Sequence, residues 1–305
     1  MISPGQFRGT FVALLTPFTA DDQLDEGRLR RHVDWLIAEG VHGLIPSGSA
    51  GEFLQLTDQE RERLIEVTTE QSAGRVPVVP GCSADGTAEA QRWVRYAERV
   101  GADGVMVAPP FYSLPTESET IHHYELVAGA TALPVMAYNN PATTGIDMRP
   151  PLLQRLAEIP NIRYVKESTT DVRRVEDIHL RTDGRMTVFA GIHALESFLV
   201  GARGWVSVPA NVAPKVSARL YESAVSADLD AARSLSNSLW ALMELEADTG
   251  KYVQVYKEAL ALEGDPVGPA RAPRLPLTET ERKRLVVALV ALRVQLDSAA
   301  TKSAK

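Results

Sequence analysis

The chain has 305 residues, 45% of them hydrophobic and 23% charged, with a formal net charge of -7. That balance is ordinary for a folded globular protein, and its acidic sign argues against a nucleic-acid surface, which needs a basic patch. Cys82 is the single cysteine, which excludes an intrachain disulfide and a cysteine zinc site.

Residues 1–5 lack the charged-then-apolar pattern of a secretory signal, and no apolar run approaches the ~20 residues that span a bilayer. A cytoplasmic location without membrane contact is therefore expected. Apolar, strand-like runs then recur at intervals of roughly 30 residues, near 11–15, 43–46, 76–80, 104–108, 134–138, 162–166, 187–190 and 205–208. Amphipathic helical patterns separate them, among them 26–38, 58–70, 87–100 and 119–130, and a further helical block opens after the last run with 214–225. Leu29, Val33, Leu36 and Ile37 form a helical stripe in the first. Thr57-Asp58-Gln59-Glu60 spells a capping box, and Asp85 stands where another helix should be capped. Gly40, Gly74 and Gly101 stand where helices should stop.

Eight strand–helix units with short connections favour parallel pairing through right-handed crossovers, and eight close a (β/α)8 barrel. The first strand is not followed by the Gly-x-Gly-x-x-Gly turn of a dinucleotide-binding sheet. The expected division is a catalytic barrel over 1–225 and a helical region over 226–305. The latter holds helices near 229–248, 252–262 and 279–296, a connector marked by Pro266, Pro269, Pro273 and Pro276, and a frayed tail over 298–305.

Active sites of such barrels lie at the carboxyl ends of the strands. The sixth run, ending Tyr164-Val165-Lys166, closes a buried strand with a lysine. Desolvation favours the neutral amine, which is a nucleophile toward carbonyl groups. At the same rim the second run ends in Gly48-Ser49-Ala50-Gly51-Glu52, whose backbone N–H groups suit a carboxylate. The fourth ends in Pro109-Pro110-Phe111-Tyr112, the fifth in Tyr138-Asn139-Asn140-Pro141 and the seventh in Gly191. A phenol at the barrel mouth can donate and accept protons. The six histidines are scattered and His122-His123 faces two sides of a helix, so no metal site is expected.

These motifs, with Gly204-Trp205-Val206-Ser207-Val208, resemble the dihydrodipicolinate synthase / N-acetylneuraminate lyase family from about Phe7 through the C-terminal helices. The resemblance implies a class I aldolase or dehydratase that needs no external cofactor, because Lys166 forms the Schiff base with pyruvate or another 2-oxo acid. It makes Tyr138 the general acid/base, and Ser49 and Tyr112 the rest of a proton relay. Tyr112 would reach in from a neighbouring subunit of a homodimer or homotetramer. It also places Ala50 and Gly51 at the substrate carboxylate, Val206 near the pyruvyl group, and Thr143 and Gly191 beside the substrate. The chain departs from the family pattern in three places. Ala50 replaces a hydroxyl, and Thr143 stands where dihydrodipicolinate synthase carries an arginine for the aspartate-semialdehyde partner. Ile192-His193-Ala194 replaces the acidic residues with which N-acetylneuraminate lyase grips a sugar. The spelling Tyr138 to Gly145 is closer to members acting on 2-keto-3-deoxy acids. True 4-hydroxy-tetrahydrodipicolinate synthesis and an idle 2-oxo-acid-binding protein are the alternatives.

Overall fold

The computed structural model describes residues 7–303, with side chains through residue 294. The signal reading, on residues 1–5, lies outside them. Seven parallel strands form one sheet: β1 (Gly9–Ala13), β2 (Gly43–Ile45), β3 (Val105–Val107), β4 (Val135–Asn139), β5 (Ile162–Glu167), β6 (Thr187–Ala190) and β7 (Gly204–Ser207). Their order is β2-β1-β7-β6-β5-β4-β3, so β2 and β3 are the two edges. Residues 76–82 join those edges. Leu44 N donates to Pro77 O at 2.9 Å and Val79 N to Leu44 O at 2.9 Å; on the other side Met106 N donates to Pro80 O at 2.9 Å. Pro77 and Pro80 carry no N–H, so the ladder there breaks into isolated bridges where the pattern predicts a regular strand. With that segment the ring counts eight, and the fold is a (β/α)8 barrel.

The helices follow the sequence pattern closely. Glu26–Ala38, Pro214–Val225 and Tyr252–Leu262 fall on the predicted ranges. The capping box at Thr57 forms with both of its hydrogen bonds. A second, unpredicted one at Thr116 and Glu119 starts the next such helix at Glu117. Asp85 does not cap a helix. Its carboxylate instead accepts from Phe111 N, Tyr112 N and Ser113 Oγ, each at 2.8 Å, and holds the loop that carries Tyr112.

The barrel interior is packed with rings. Phe7 stacks on Tyr164 at 4.8 Å, Phe11 meets Phe189 edge-on at 5.2 Å, and Tyr164 meets Phe189 at 6.0 Å. Gly43 and Gly204 make room for them: a Cβ there would lie 2.5 Å from the Phe11 ring and 2.2 Å from the Phe189 ring. Each buried ring contributes ~1.5–3 kcal/mol of transfer free energy.

After Val225 come the helices Leu229–Thr249, Tyr252–Leu262 and Glu279–Ser303. The last continues past the predicted end at 296 and through most of the stretch expected to fray. The connector 263–278 returns to the barrel, where Phe18 N donates to Val267 O at 3.0 Å. The Arg271 guanidinium fastens it to Asp22 Oδ1 at 2.8 Å and to Glu60 Oε2 at 2.8 Å, and lies 4.0 Å from the centre of the Phe18 ring.

Candidate active site

Strands β4 and β5 pair with Tyr138 opposite Lys166 and Asn139 opposite Glu167. Side chains alternate along a strand, so Tyr138 and Lys166 share one face, the face to which Tyr164 contributes its ring two residues earlier. The other face fixes the register. Asn139 Nδ2 donates to Glu167 Oε2 at 2.9 Å, and Thr169 N donates to Glu167 Oε1 at 2.8 Å. Asn139 Oδ1 accepts from Met148 N at 2.9 Å, and nearby Arg174 grips Asp147 with two bonds of 2.6 and 2.8 Å. A slip of one residue would turn Lys166 out of the barrel and break this network.

Lys166 is only 7% exposed. Its Nζ lies 4.1 Å from the centre of the Tyr138 ring, close enough for its charge to act on the phenol, and among the described residues Lys166 forms no ion pair. Burial alone would raise the Tyr138 phenol. The Lys166 charge and the polar side chains of Asn140, Lys166 and Ser49 around the phenol outweigh burial and hold it below its ordinary value. Asn140 Nδ2 donates to the phenol oxygen at 2.9 Å. A phenol eased toward ionisation beside an amine is suited to passing a proton back and forth. Glu246 is within electrostatic reach of Lys166, but burial pushes its carboxyl above the usual range, against the opposing effects of Tyr256 and Lys166. It accepts from the Tyr256 hydroxyl at 2.6 Å.

The turn after β2 is tightly wound. Ser47 and Glu52 both adopt left-handed backbone angles, with φ of 58° and 57°. Thr16 Oγ1 donates to Gly51 O at 2.6 Å and pins the turn to the first strand's loop. The amides of Ala50 and Gly51 have no acceptor among the described residues. Glu52 does not join the mouth. It pairs with Lys257 Nζ at 2.7 Å and accepts from Arg271 N at 2.8 Å, which ties the turn to the C-terminal connector.

A cavity of about 210 Å³ opens beside these groups. Tyr138, Ser49 and Thr143 line it, together with Phe53, Tyr252 and Arg274. Lys166 stands behind the Tyr138 ring and is not itself a lining residue. Ala50, Gly51, Gly191 and Val206 do not line it either. Val206 is buried on β7, and Gly191 is packed so closely that an added Cβ would lie 1.8 Å from Ser168 Oγ. Tyr112 is 88% exposed and does not line the cavity. Sequence reasoning missed Asn140 as a partner of the phenol, and also Glu246, Tyr252, Lys257 and Arg274. The last four come from the helical region, whose approach to the mouth no local pattern announces.

Comparison with known proteins now bears on this geometry. The model of the Dihydrodipicolinate synthetase family matches residues 6–292. The chain belongs to that family. It is 38% identical to a 4-hydroxy-tetrahydrodipicolinate synthase of Thermomicrobium roseum, over 92% of this chain and 93% of the relative. The 4-hydroxy-tetrahydrodipicolinate synthase of Methylacidiphilum fumariolicum SolV superposes with a TM-score of 0.94 at 29% identity, covering 97% of this chain and 99% of that one. YagE of E. coli K12, a prophage protein of the same family solved in complex with pyruvate, gives 0.90 at 33% identity, covering 95% and 99%. The chain is accordingly an enzyme of the lyase class on a (β/α)8 barrel. Among the described residues no helix is long and apolar enough to cross a membrane, and no group of three or more His, Cys, Asp or Glu is disposed to hold a metal ion.

Proposed function

We propose that Lys166 captures pyruvate or another 2-oxo acid as an imine, and that the enzyme then cleaves, forms or dehydrates a small 2-keto-3-deoxy acid. The lysine amine adds to the keto carbon, and the carbonyl oxygen leaves as water after gaining protons. The resulting iminium draws electrons from C3, so that C3 loses a proton or a carbon substituent and an enamine forms. Adding an aldehyde to the enamine makes a carbon–carbon bond; expelling a C4 hydroxyl eliminates water. Tyr138 moves the protons, with Ser49 donating to it and Tyr112 entering from a neighbouring subunit of a homodimer or homotetramer. The amides of Ala50 and Gly51 receive the substrate carboxylate, and Thr143, Gly191 and Val206 border it. No metal or external cofactor enters, and the setting is the cytoplasm.

The observation that carries this reading is the register that puts Tyr138 opposite Lys166, with the lysine nitrogen 4.1 Å from the ring centre. Steady-state assays with 2-keto-3-deoxy acids, with pyruvate plus aldehydes, and with pyruvate plus aspartate semialdehyde test it. Turnover of a 2-keto-3-deoxy acid or a pyruvate aldol supports it, and no turnover of any of them counts against it. A second reading, 4-hydroxy-tetrahydrodipicolinate synthesis, is favoured by the name of the 38%-identical relative. Thr143 weighs against it, because it offers the cavity a hydroxyl where that reaction's partner would meet a cation. Faster turnover of aspartate semialdehyde than of every other partner would select the second reading. The exposure of Tyr112 supports its role across an interface. Mixing Lys166→Ala and Tyr112→Phe chains should then regain activity that neither has alone, and no gain would confine each site to one chain.

A further inference from the structure

Of the residues lining the cavity, Arg274 alone carries a formal charge. It arrives on the connector 263–278, which Arg271 anchors through Asp22 and Glu60. Arg274 NH1 donates to Gln55 Oε1 at 2.8 Å and lies 3.7 Å from Glu52 Oε2. Tyr252 lines the cavity with it. These contacts aim the guanidinium but do not neutralise it. Glu52 already pairs with Lys257 at 2.7 Å, so one carboxylate stands between two cations. The charge of Arg271 is answered separately by Glu60 and Asp22. The cluster balances as a whole, three cations to three carboxylates, but the carboxylate nearest Arg274 stands 3.7 Å away and is already paired with Lys257, and Arg274 is the member of the cluster that reaches the cavity wall.

Planar guanidinium donors match carboxylates and phosphates with two parallel N–H bonds, and a carboxylate is the anion that 2-oxo acids and their partners carry. The cavity, about 210 Å³, leaves room beyond a three-carbon 2-oxo acid. We infer that Arg274 receives a second carboxylate, at the end of the substrate remote from the keto group. The preferred substrates are therefore 2-oxo acids or aldol partners that carry a terminal carboxylate, and Arg274 does from the C-terminal connector what Thr143 does not do from the loop after β4. This inference rests on the Lys166 reading for where the keto end lies.

The test is the concentration that half-saturates borohydride-trapped adduct formation, with pyruvate, 2-oxoglutarate and its isosteric 5-amide as probes. In the unaltered full-length enzyme the acid should be favoured over the amide by ~10- to 100-fold, the range of a charge-assisted bidentate contact. Arg274→Gln should erase that preference and leave pyruvate unchanged, while Arg274→Lys should keep part of it. A loss shared equally by all three probes, or no preference in the unaltered enzyme, would overturn the assignment. Failure of every probe to form an adduct would instead remove the Lys166 reading. In that case calorimetric binding of the same acid and amide to Lys166→Ala decides for or against Arg274, since no imine is needed there.

Discussion

Among the described residues two lysines are buried, and their surroundings differ. Lys257, 3% exposed, spends its ammonium on Glu52 at 2.7 Å and on Pro269 O at 2.9 Å, above the Phe18 ring. Burial pulls it down to about 8 even so, with Glu52 opposing the shift. Lys166 has a phenol and its ring for company and forms no ion pair among the described residues. A buried ammonium held by a carboxylate and a carbonyl is a fastener, because its donors are occupied and its release leaves a bare carboxylate behind. An amine beside a proton-exchanging phenol that itself lines a cavity is free to react. Burial is common to both; the partner decides the use.

Four substitutions sharpen or break this contrast. Lys166→Ala should lower kcat by ~10³-fold or more in steady-state assays, since the covalent step has no substitute, and should leave folding stability unchanged or slightly higher. Retained turnover would remove Lys166 from the reaction. Tyr138→Phe should slow turnover by ~10²- to 10⁴-fold while an adduct still forms slowly in a time-resolved trapping assay. Lys257→Met should instead cost stability, by ~3–5 kcal/mol in urea unfolding, because buried Glu52 loses its 2.7 Å ion pair and keeps only the Arg271 amide and Arg274 at 3.7 Å. Adding Glu52→Gln should return most of that loss, and a double variant as unstable as the single one would refute the pairing.

The smallest effect is on pH dependence. The unfolded chain keeps a proton on Lys257 up to its ordinary value near 10.5, whereas the folded chain releases it from about 8. Between those values the unfolded state binds more protons, so the contribution of Lys257 to stability rises with pH across the window. The difference between unaltered and Lys257→Met stability curves should carry that rise, and a flat difference would contradict it.

The same pair explains what was legible in the sequence. Lys166 stands at the end of an apolar, β-branched run, Tyr138 ends the preceding strand-like run, and both could be read because strand ends map onto the barrel mouth. The helices after β2 and β7 were likewise set by local signals, a capping box at Thr57 and the pattern over Pro214–Val225. Lys257 gave no such sign. It lies mid-helix among residues that read as an ordinary amphipathic stretch, and its partner Glu52 is about 200 residues away in the chain, a contact that only tertiary packing creates. Arg274 was hidden for the same reason, in a proline-rich connector whose path to the cavity depends on Arg271. Asp85 misled because a cap and a loop clamp both call for a short side-chain acceptor.

The central claim, that Lys166 and not Lys257 is the amine that captures a ketone, is tested most directly by incubating the enzyme with pyruvate and borohydride and locating the modified residue by peptide mass spectrometry. The expected result is one reduced pyruvyl group per chain, on Lys166 alone. An unmodified chain, or a label on Lys257 or on surface lysines with Lys166 untouched, would contradict the account.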